Sequence, residues 1–146
     1  MGIEPFLLAS TLEVIIAQRL VRRICTHCRY SLPAHEVLKA LPPNANGQIS
    51  QFFGSDETLY AGKGCNVCAG TGYNGRLALF EFIEVTPEMQ DLIIKSPSTR
   101  EIETLARKQG SLPMFEDGVQ KVKNGMTTLQ EVVRVVEPAR SPEKYG

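Results

Sequence analysis

The sequence predicts a mixed α/β domain, of the α+β kind, built round a four-cysteine metal site, and three observations point there. Four cysteines fall in two identically spaced pairs, Cys25-Thr26-His27-Cys28 and Cys65-Asn66-Val67-Cys68, with none left over. Two apolar runs, Val14 to Ile24 and residues 76–85, have the β-branched content and alternation of strands. The final third carries a succession of helix start and stop signals.

Taken in order, Pro5 stands where a helix can begin, and Phe6-Leu7-Leu8-Ala9 extends it to about residue 12. From Val14 the chain turns β-branched, and Gln18, Leu20, Arg22 and Ile24 alternate with Ala17, Arg19, Val21 and Arg23. This is read as a strand running into the first cysteine pair, with a helix as the alternative because residues 7–20 also fit helical spacing. Residues 33–41 predict an amphipathic helix with Val37, Leu38 and Leu41 on one side, stopped by Pro42-Pro43. Residues 44–64 read as polar and turn-rich. After Cys68 the cluster Gly70-Thr71-Gly72-Tyr73-Asn74-Gly75 predicts turns. In the strand that follows, Leu77, Leu79, Glu81 and Ile83 alternate with Ala78, Phe80 and Phe82, giving two largely apolar faces.

Four helices are predicted beyond residue 86. Thr86 caps one that begins with Pro87, and Ser98-x-x-Glu101 is a capping box for one that ends at Gly110. The third runs from Pro113 to about Asn124 and stops at Gly125. The fourth opens with Thr127-x-x-Gln130 and carries Leu129, Val132, Val133 and Val136 on its apolar side. Residues 138–146 read as a disordered tail.

Sixteen basic and sixteen acidic residues cancel, and the pI near 6.7 provides no global field for nucleic acid or for an anionic membrane. Met1-Gly2-Ile3-Glu4-Pro5 lacks a basic leader, and no apolar run is long enough to span a bilayer. A reducing cytoplasm is therefore expected, where paired cysteines are metal ligands or redox centres more often than disulfides.

Two C-x-x-C turns supply the four ligands of a closed tetrahedral site, so Cys25, Cys28, Cys65 and Cys68 are the candidate ligands of one Zn²⁺. Closing the long intervening loop costs roughly 3 kcal/mol of chain entropy, small beside the about 10–16 kcal/mol apparent for structural zinc. Two local disulfides, a thioredoxin-type dithiol and free thiols are the other readings, and iron fits the same sulfur set. His27 and His35 are read as side chains outside the shell. Arg19, Arg22, Arg23 and Arg29 form a basic stripe, read as a solvated or salt-bridged strand face, or else as a subunit contact or phosphate sensor. Gly62-Lys63-Gly64 fails the P-loop pattern, with Glu57 and Gly64 at its defining positions. No catalytic constellation emerges. Cys65-x-x-Cys68-x-Gly70-x-Gly72 is also the repeat of the Hsp40-type chaperone zinc domain, but the first pair lacks the glycines.

Gly2-Ile3-Glu4-Pro5-Phe6-Leu7-Leu8, Ala17-Gln18-Arg19-Leu20-Val21-Arg22-Arg23-Ile24-Cys25, Cys65-x-x-Cys68-x-Gly70-Thr71-Gly72-Tyr73-x-Gly75-Arg76 and Phe80-Glu81 occur in that order. With Asp117-Gly118 and Gly125-Met126-Thr127-Thr128-Leu129-Gln130-Glu131-Val132-Val133-Arg134-Val135, they closely resemble the C-terminal part of the type II secretion and type IV pilus assembly ATPases. The P-loop, acidic box, Walker B carboxylate and histidine box of that family are absent, so the resemblance implies a non-catalytic fragment. It implies that residues 1–24 and 74–86 are terminal strands of a RecA-like ATPase sheet, 25–73 an inserted tetracysteine zinc subdomain, and 87–137 a C-terminal helical region. ATP and Mg²⁺ would belong to the full-length parent, a hexameric motor that drives an inner-membrane platform from the cytoplasmic side. The tetracysteine favours the secretion and assembly branch over the retraction motors. Partners implied are other ring subunits and platform proteins, with self-association expected where the strand Val14 to Ile24 has lost its neighbours. The alternatives are a free-standing zinc-ribbon or chaperone-like binding module and a C-x-x-C dithiol oxidoreductase.

Overall fold

The computed structural model describes residues 2–42, 47–54 and 56–138. Pro43, part of the stretch read as turn-rich, and nearly all of the tail read as disordered lie outside the described residues. The elements run α1 (Pro5–Thr11), β1 (Val14–Ile24), β2 (Arg29–Pro33), α2 (Ala34–Lys39), a 3₁₀ turn (Ser50–Phe52), β3 (Thr58–Gly62) and β4 (Tyr73–Glu84). Then come α3 (Pro87–Ile94), α4 (Thr99–Lys108), α5 (Met114–Lys123) and α6 (Leu129–Val135). β1 pairs with β4, and β2 pairs antiparallel with β3 from Arg29 opposite Gly62 to Pro33 opposite Thr58. No helix among the described residues is long and apolar enough to cross a membrane.

The chain divides into two compact units, residues 1–18 with 80–113 and residues 19–79 with 114–146. In the first, Pro5 opens α1 with a preset φ. The Thr86 hydroxyl accepts the Met89 N–H at the start of α3. The capping box at α4 forms as predicted: the Ser98 hydroxyl takes the Glu101 N–H while the Glu101 carboxylate takes the Ser98 N–H. Gly110, at φ +87°, lets the chain leave α4. Val85, Met89, Leu105 and Ala106 form the core, with Leu12, Ile83 and Ile102 against it. Arg107 pairs with Glu81 and donates to the Ser111 carbonyl, tying α4 to β4. Phe6, Val14 and Ile16 remain about half exposed, at 56%, 47% and 55%.

The second unit is organised round α5. Phe115, Val119 and Val122 pack with Leu129 and Val132 of α6 and with Val21, Leu77 and Leu79 of the strands. Gly118 lets α6 approach, since a Cβ there would stand 2.6 Å from the Val132 side chain. Val21 and Ile24, both buried, belong to opposite alternation sets, so both faces of β1 are used near its C-terminal end.

Three expectations need correction. The stretch expected to be polar and turn-rich holds β3 and three core residues, Ile49, Phe53 and Leu59. Arg29–Pro33, read as part of a loop, is strand β2. Neither strand has a strong pattern of its own; each exists because the other supplies its hydrogen-bond partners. Finally, α6 is capped by Thr128, whose hydroxyl accepts the Glu131 N–H, and not by Thr127.

Thr127 is engaged elsewhere, donating its hydroxyl to the Arg22 carbonyl at 2.7 Å. The Ile24 N–H donates to the Met126 carbonyl, and the Arg22 N–H donates to Glu131 Oε2 at 2.8 Å. Residues 126–131 thus occupy the edge of β1 at Arg22 and Ile24. Glu131 also takes the guanidinium groups of Arg22 and Arg134, each at 2.8 Å, although its own side chain is only 3% exposed. Burial opposes its ionisation, but these donors outweigh burial and hold its pKa at about 2.

A carboxylate whose folded-state pKa is depressed contributes stability that is complete above the ordinary glutamate value near 4.3 and is lost as the pH falls toward 2. Glu131→Gln is therefore expected to cost about 2 kcal/mol at neutral pH, a figure reduced for the half-exposed arginines. It should also flatten the loss of stability between roughly pH 5 and pH 2. Urea unfolding of both proteins across that range checks this, and identical acid slopes would contradict it.

Candidate metal centre

β1 ends directly at the first cysteine pair and β2 leaves it, while β3 leads to the second pair and β4 departs from it. The β2–β3 pairing therefore sets the two C-x-x-C turns side by side. Lys63 N–H donates to the Cys28 carbonyl at 3.1 Å, and Cys25 N–H to the Gly72 carbonyl at 2.9 Å. Around the second pair, Gly70 N–H returns to the Cys65 carbonyl, and the Thr71 hydroxyl donates to the carbonyl of Cys68.

Close approach of the two turns requires glycine. A Cβ on Gly62 would lie 2.1 Å from the Gly72 oxygen, and one on Gly64 2.5 Å from the Gly70 oxygen. Gly64, Gly70 and Gly72 also sit at φ +93°, +77° and +78°. The Gly62-Lys63-Gly64 motif, tested above as a phosphate loop, is the backbone surface on which Gly70-Thr71-Gly72 rests.

All four sulfurs lie within 4.8 Å of one another. The Sγ atoms of Cys25 and Cys65 are 3.8 Å apart, those of Cys28 and Cys68 3.8 Å, and those of Cys65 and Cys68 3.7 Å. A disulfide needs about 2.05 Å, and all four thiols are free. Four sulfurs placed tetrahedrally at about 2.3 Å from a central ion stand about 3.8 Å apart. The cage is thus the right size to hold a metal ion. Cys25 and Cys68 are buried, Cys28 and Cys65 half-buried.

Backbone donors converge on the sulfurs. Gly64 N–H points at Cys28 Sγ at 3.3 Å, while Cys65 and Gly72 N–H groups both point at Cys68 Sγ at 3.2 Å. Burial pushes the Cys28 thiol up, to about 11. Burial also opposes ionisation of Cys68, but its two N–H donors and the neighbouring thiols hold it down at about 6. Four thiolates packed this closely repel one another, so full ionisation of the cluster is favoured by a cation at its centre.

His27 and His35 are exposed and stand outside the sulfur cluster. The arginine stripe has diverse partners: Arg22 lies over the Tyr73 ring at 4.2 Å as well as on Glu131, and Arg29 lies over Tyr60 and donates to the Gly125 carbonyl. Sequence reasoning missed Glu131, Tyr73 and Thr128, the last two joined by a 2.9 Å hydroxyl contact. Their separation in sequence left no local signal.

By class, this is a mixed α/β chain in which two C-x-x-C turns bring four cysteines close enough together to hold a metal ion. More particularly, the chain belongs to the type II/IV secretion system protein family, whose model matches residues 1–134. It is 40% identical over 139 residues to the type IV pilus assembly ATPase PilB of Thermus thermophilus, covering 94% of this chain and 15% of the relative. It is 38% identical over 145 residues to the type II secretion system protein E of Xanthomonas campestris, covering 95% and 24%. It is also 34% identical over 139 residues to the type II secretion system protein HxcR of Pseudomonas aeruginosa, covering 95% and 24%. The chain therefore spans between 15% and 24% of the length of these three relatives.

Proposed function

We propose that this chain is the zinc-binding, non-catalytic portion of a motor ATPase that powers type II secretion or type IV pilus assembly, with Cys25, Cys28, Cys65 and Cys68 holding one Zn²⁺. The observation that carries the reading is the sulfur cage with its 3.7–3.8 Å edges. Four thiolates leave no open coordination position, so the metal supplies cross-linking and not water activation. Its work is to lock the β1–β2 and β3–β4 turns into a rigid protrusion. ATP and Mg²⁺ would bind in the remainder of the longer protein, because the family's phosphate loop and Walker B carboxylate are not in this sequence. In this reading residues 1–24 and 74–86 are the last strands of a RecA-like sheet. Residues 25–73 are its inserted zinc subdomain, 87–137 its helical region and 138–146 a tail. The half-exposed Val14, Ile16 and Leu20 on β1 are what a strand missing further neighbours presents, and they support that assignment. The site of action is the cytoplasmic face of the bacterial inner membrane, where the protrusion contacts neighbouring ring subunits or the membrane platform.

Elemental analysis of protein purified under reducing conditions is expected to give one zinc per chain, and X-ray absorption to give four sulfurs at about 2.3 Å. Absent metal, or Cys25–Cys28 and Cys65–Cys68 disulfides in reduced protein, would overturn the reading. ATP titration by calorimetry should show no micromolar, Mg²⁺-dependent binding by this portion.

A further inference from the structure

Once an ion is held, all four sulfurs of the cage are thiolates, and protonation no longer tells them apart. They still differ in access to solvent, in the hydrogen bonds each accepts and in which other sulfurs stand within reach. A hydrogen bond to a thiolate stabilises its lone pairs and makes it a weaker nucleophile, while burial keeps reagents away. An oxidant therefore selects the sulfur that is reachable, unhindered by donors and next to a second thiol.

The four cysteines divide on these counts. Cys25 is fully buried, at 0% exposure, and its sulfur has one near neighbour, Cys65 at 3.8 Å. Cys68 is buried, and its sulfur is held by the N–H groups of Cys65 and Gly72, both at 3.2 Å. Cys28 is half-buried, but its sulfur takes the Gly64 N–H at 3.3 Å and has one near neighbour, Cys68 at 3.8 Å. Cys65 is half-buried, and among the described residues no N–H donates to its sulfur. That sulfur also stands between two others, Cys68 at 3.7 Å and Cys25 at 3.8 Å. The next two residues of its turn, Asn66 and Val67, are exposed.

We propose that Cys65 is a redox modification site, oxidised by a hydroperoxide before the other three cysteines and then joined to Cys68 or Cys25 in a disulfide that opens the cage. The inference rests on the zinc reading and adds to it a way of unlocking the protrusion. The Cys65 thiolate attacks one peroxide oxygen, its S–O bond forms as the O–O bond breaks, and the hydroxide that leaves is protonated to water. A neighbouring thiolate then attacks the Cys65 sulfur, the S–S bond forms as the S–O bond breaks, and a second hydroxide leaves and is protonated. Two thiolates have given two electrons to one peroxide, which becomes two waters. Either partner has only to close from 3.7 or 3.8 Å to about 2.05 Å. The two sulfurs left over no longer complete a tetrahedral shell, so the ion is released, and a dithiol reductant reverses the change.

The test uses the metal-loaded chain, limiting hydrogen peroxide, a chromogenic zinc chelator and peptide mapping by mass spectrometry. Metal release should keep pace with disulfide formation, the first disulfide should contain Cys65, and dithiothreitol with added zinc should restore the site. Limiting iodoacetamide, applied to the loaded chain without peroxide, should label Cys65 at least roughly tenfold faster than Cys28. Cys65→His and Cys28→His each preserve a four-ligand shell. The first should slow peroxide-driven release about tenfold, and the second should leave it within about twofold of the parent. Metal content is measured on both variants before oxidation, and labelling of the parent decides the matter where a variant holds no metal. A first disulfide without Cys65, labelling led by Cys28 or spread evenly over all four, or equal release from Cys65→His and the parent overturns this inference alone. So does a loaded chain that keeps its metal through peroxide treatment. A parent that holds no metal overturns it together with the zinc reading.

Discussion

Cys65→Ser is expected to release the metal, lower the melting temperature by roughly 10 °C and unfold part of the second unit. Three sulfurs and a water hold zinc far less well, and the lost site is worth at least about 3 kcal/mol, which moves the transition by that amount in a chain of this size. The sequence alone suggests that everything from Arg29 to Gly72 unfolds, because the loop looked too polar to hold itself. The core contradicts this. Ile49, Phe53 and Leu59 are buried with Phe115, Val119 and Val122, and Phe52 meets Phe115 edge-on at 5.5 Å. Burying each such side chain contributes about 1.5–3 kcal/mol, enough to keep β3 and the 3₁₀ turn on α5 after the metal is gone. Amide exchange should therefore show protection lost at residues 25–29 and 62–72, but kept near Ile49, Leu59 and the helices. Loss spread evenly over the chain would mean that the metal and the core form one cooperative unit.

What the sequence reveals here depends on how local the cause is. Proline at a helix start, the Ser98 capping box and the Gly110 and Gly125 stops are decided within a few residues, and α1, α3, α4 and α5 were readable from them. β1 and β4 were readable because long β-branched alternation needs no partner to be recognised. The cysteine spacing exposed the cage for the same reason. β2 and β3 were hidden, since each is five residues long and is a strand only through its pairing with the other. Glu131 was hidden more deeply: it reads as one more polar residue in a capped helix, and its burial follows from contact with Arg22, distant in sequence. Thr127 and Thr128 could not be ranked as caps from sequence, because what decides between them is that Thr127 is needed by the Arg22 carbonyl.

The glycines between the knuckles offer the second large effect. Gly62→Ala adds one methyl group at a position that has no positive φ to account for its glycine, and that methyl would lie 2.1 Å from the Gly72 oxygen and 2.7 Å from its carbonyl carbon. The obstacle is backbone, and it cannot retreat cheaply. The Gly72 carbonyl accepts the Cys25 N–H at 2.9 Å, and its N–H is committed to Cys68 Sγ at 3.2 Å. Moving Gly72 away separates the first cysteine pair from the second, and a metal shell tolerates only about 0.2 Å of ligand displacement. Gly62→Ala is therefore expected to cost about 3 kcal/mol or more and to weaken metal retention against a chelator by at least roughly tenfold. Two other glycines calibrate the result. Gly75 sits at φ +80° with nothing within 4 Å of an added Cβ, so Gly75→Ala should cost only about 1 kcal/mol of backbone strain and leave metal retention unchanged. Gly54 has neither constraint, and Gly54→Ala should be close to neutral. Urea unfolding and chelator competition on the three variants should rank them in that order, and a Gly62→Ala protein that unfolds and releases metal like Gly54→Ala would show that the two turns do not rest on each other.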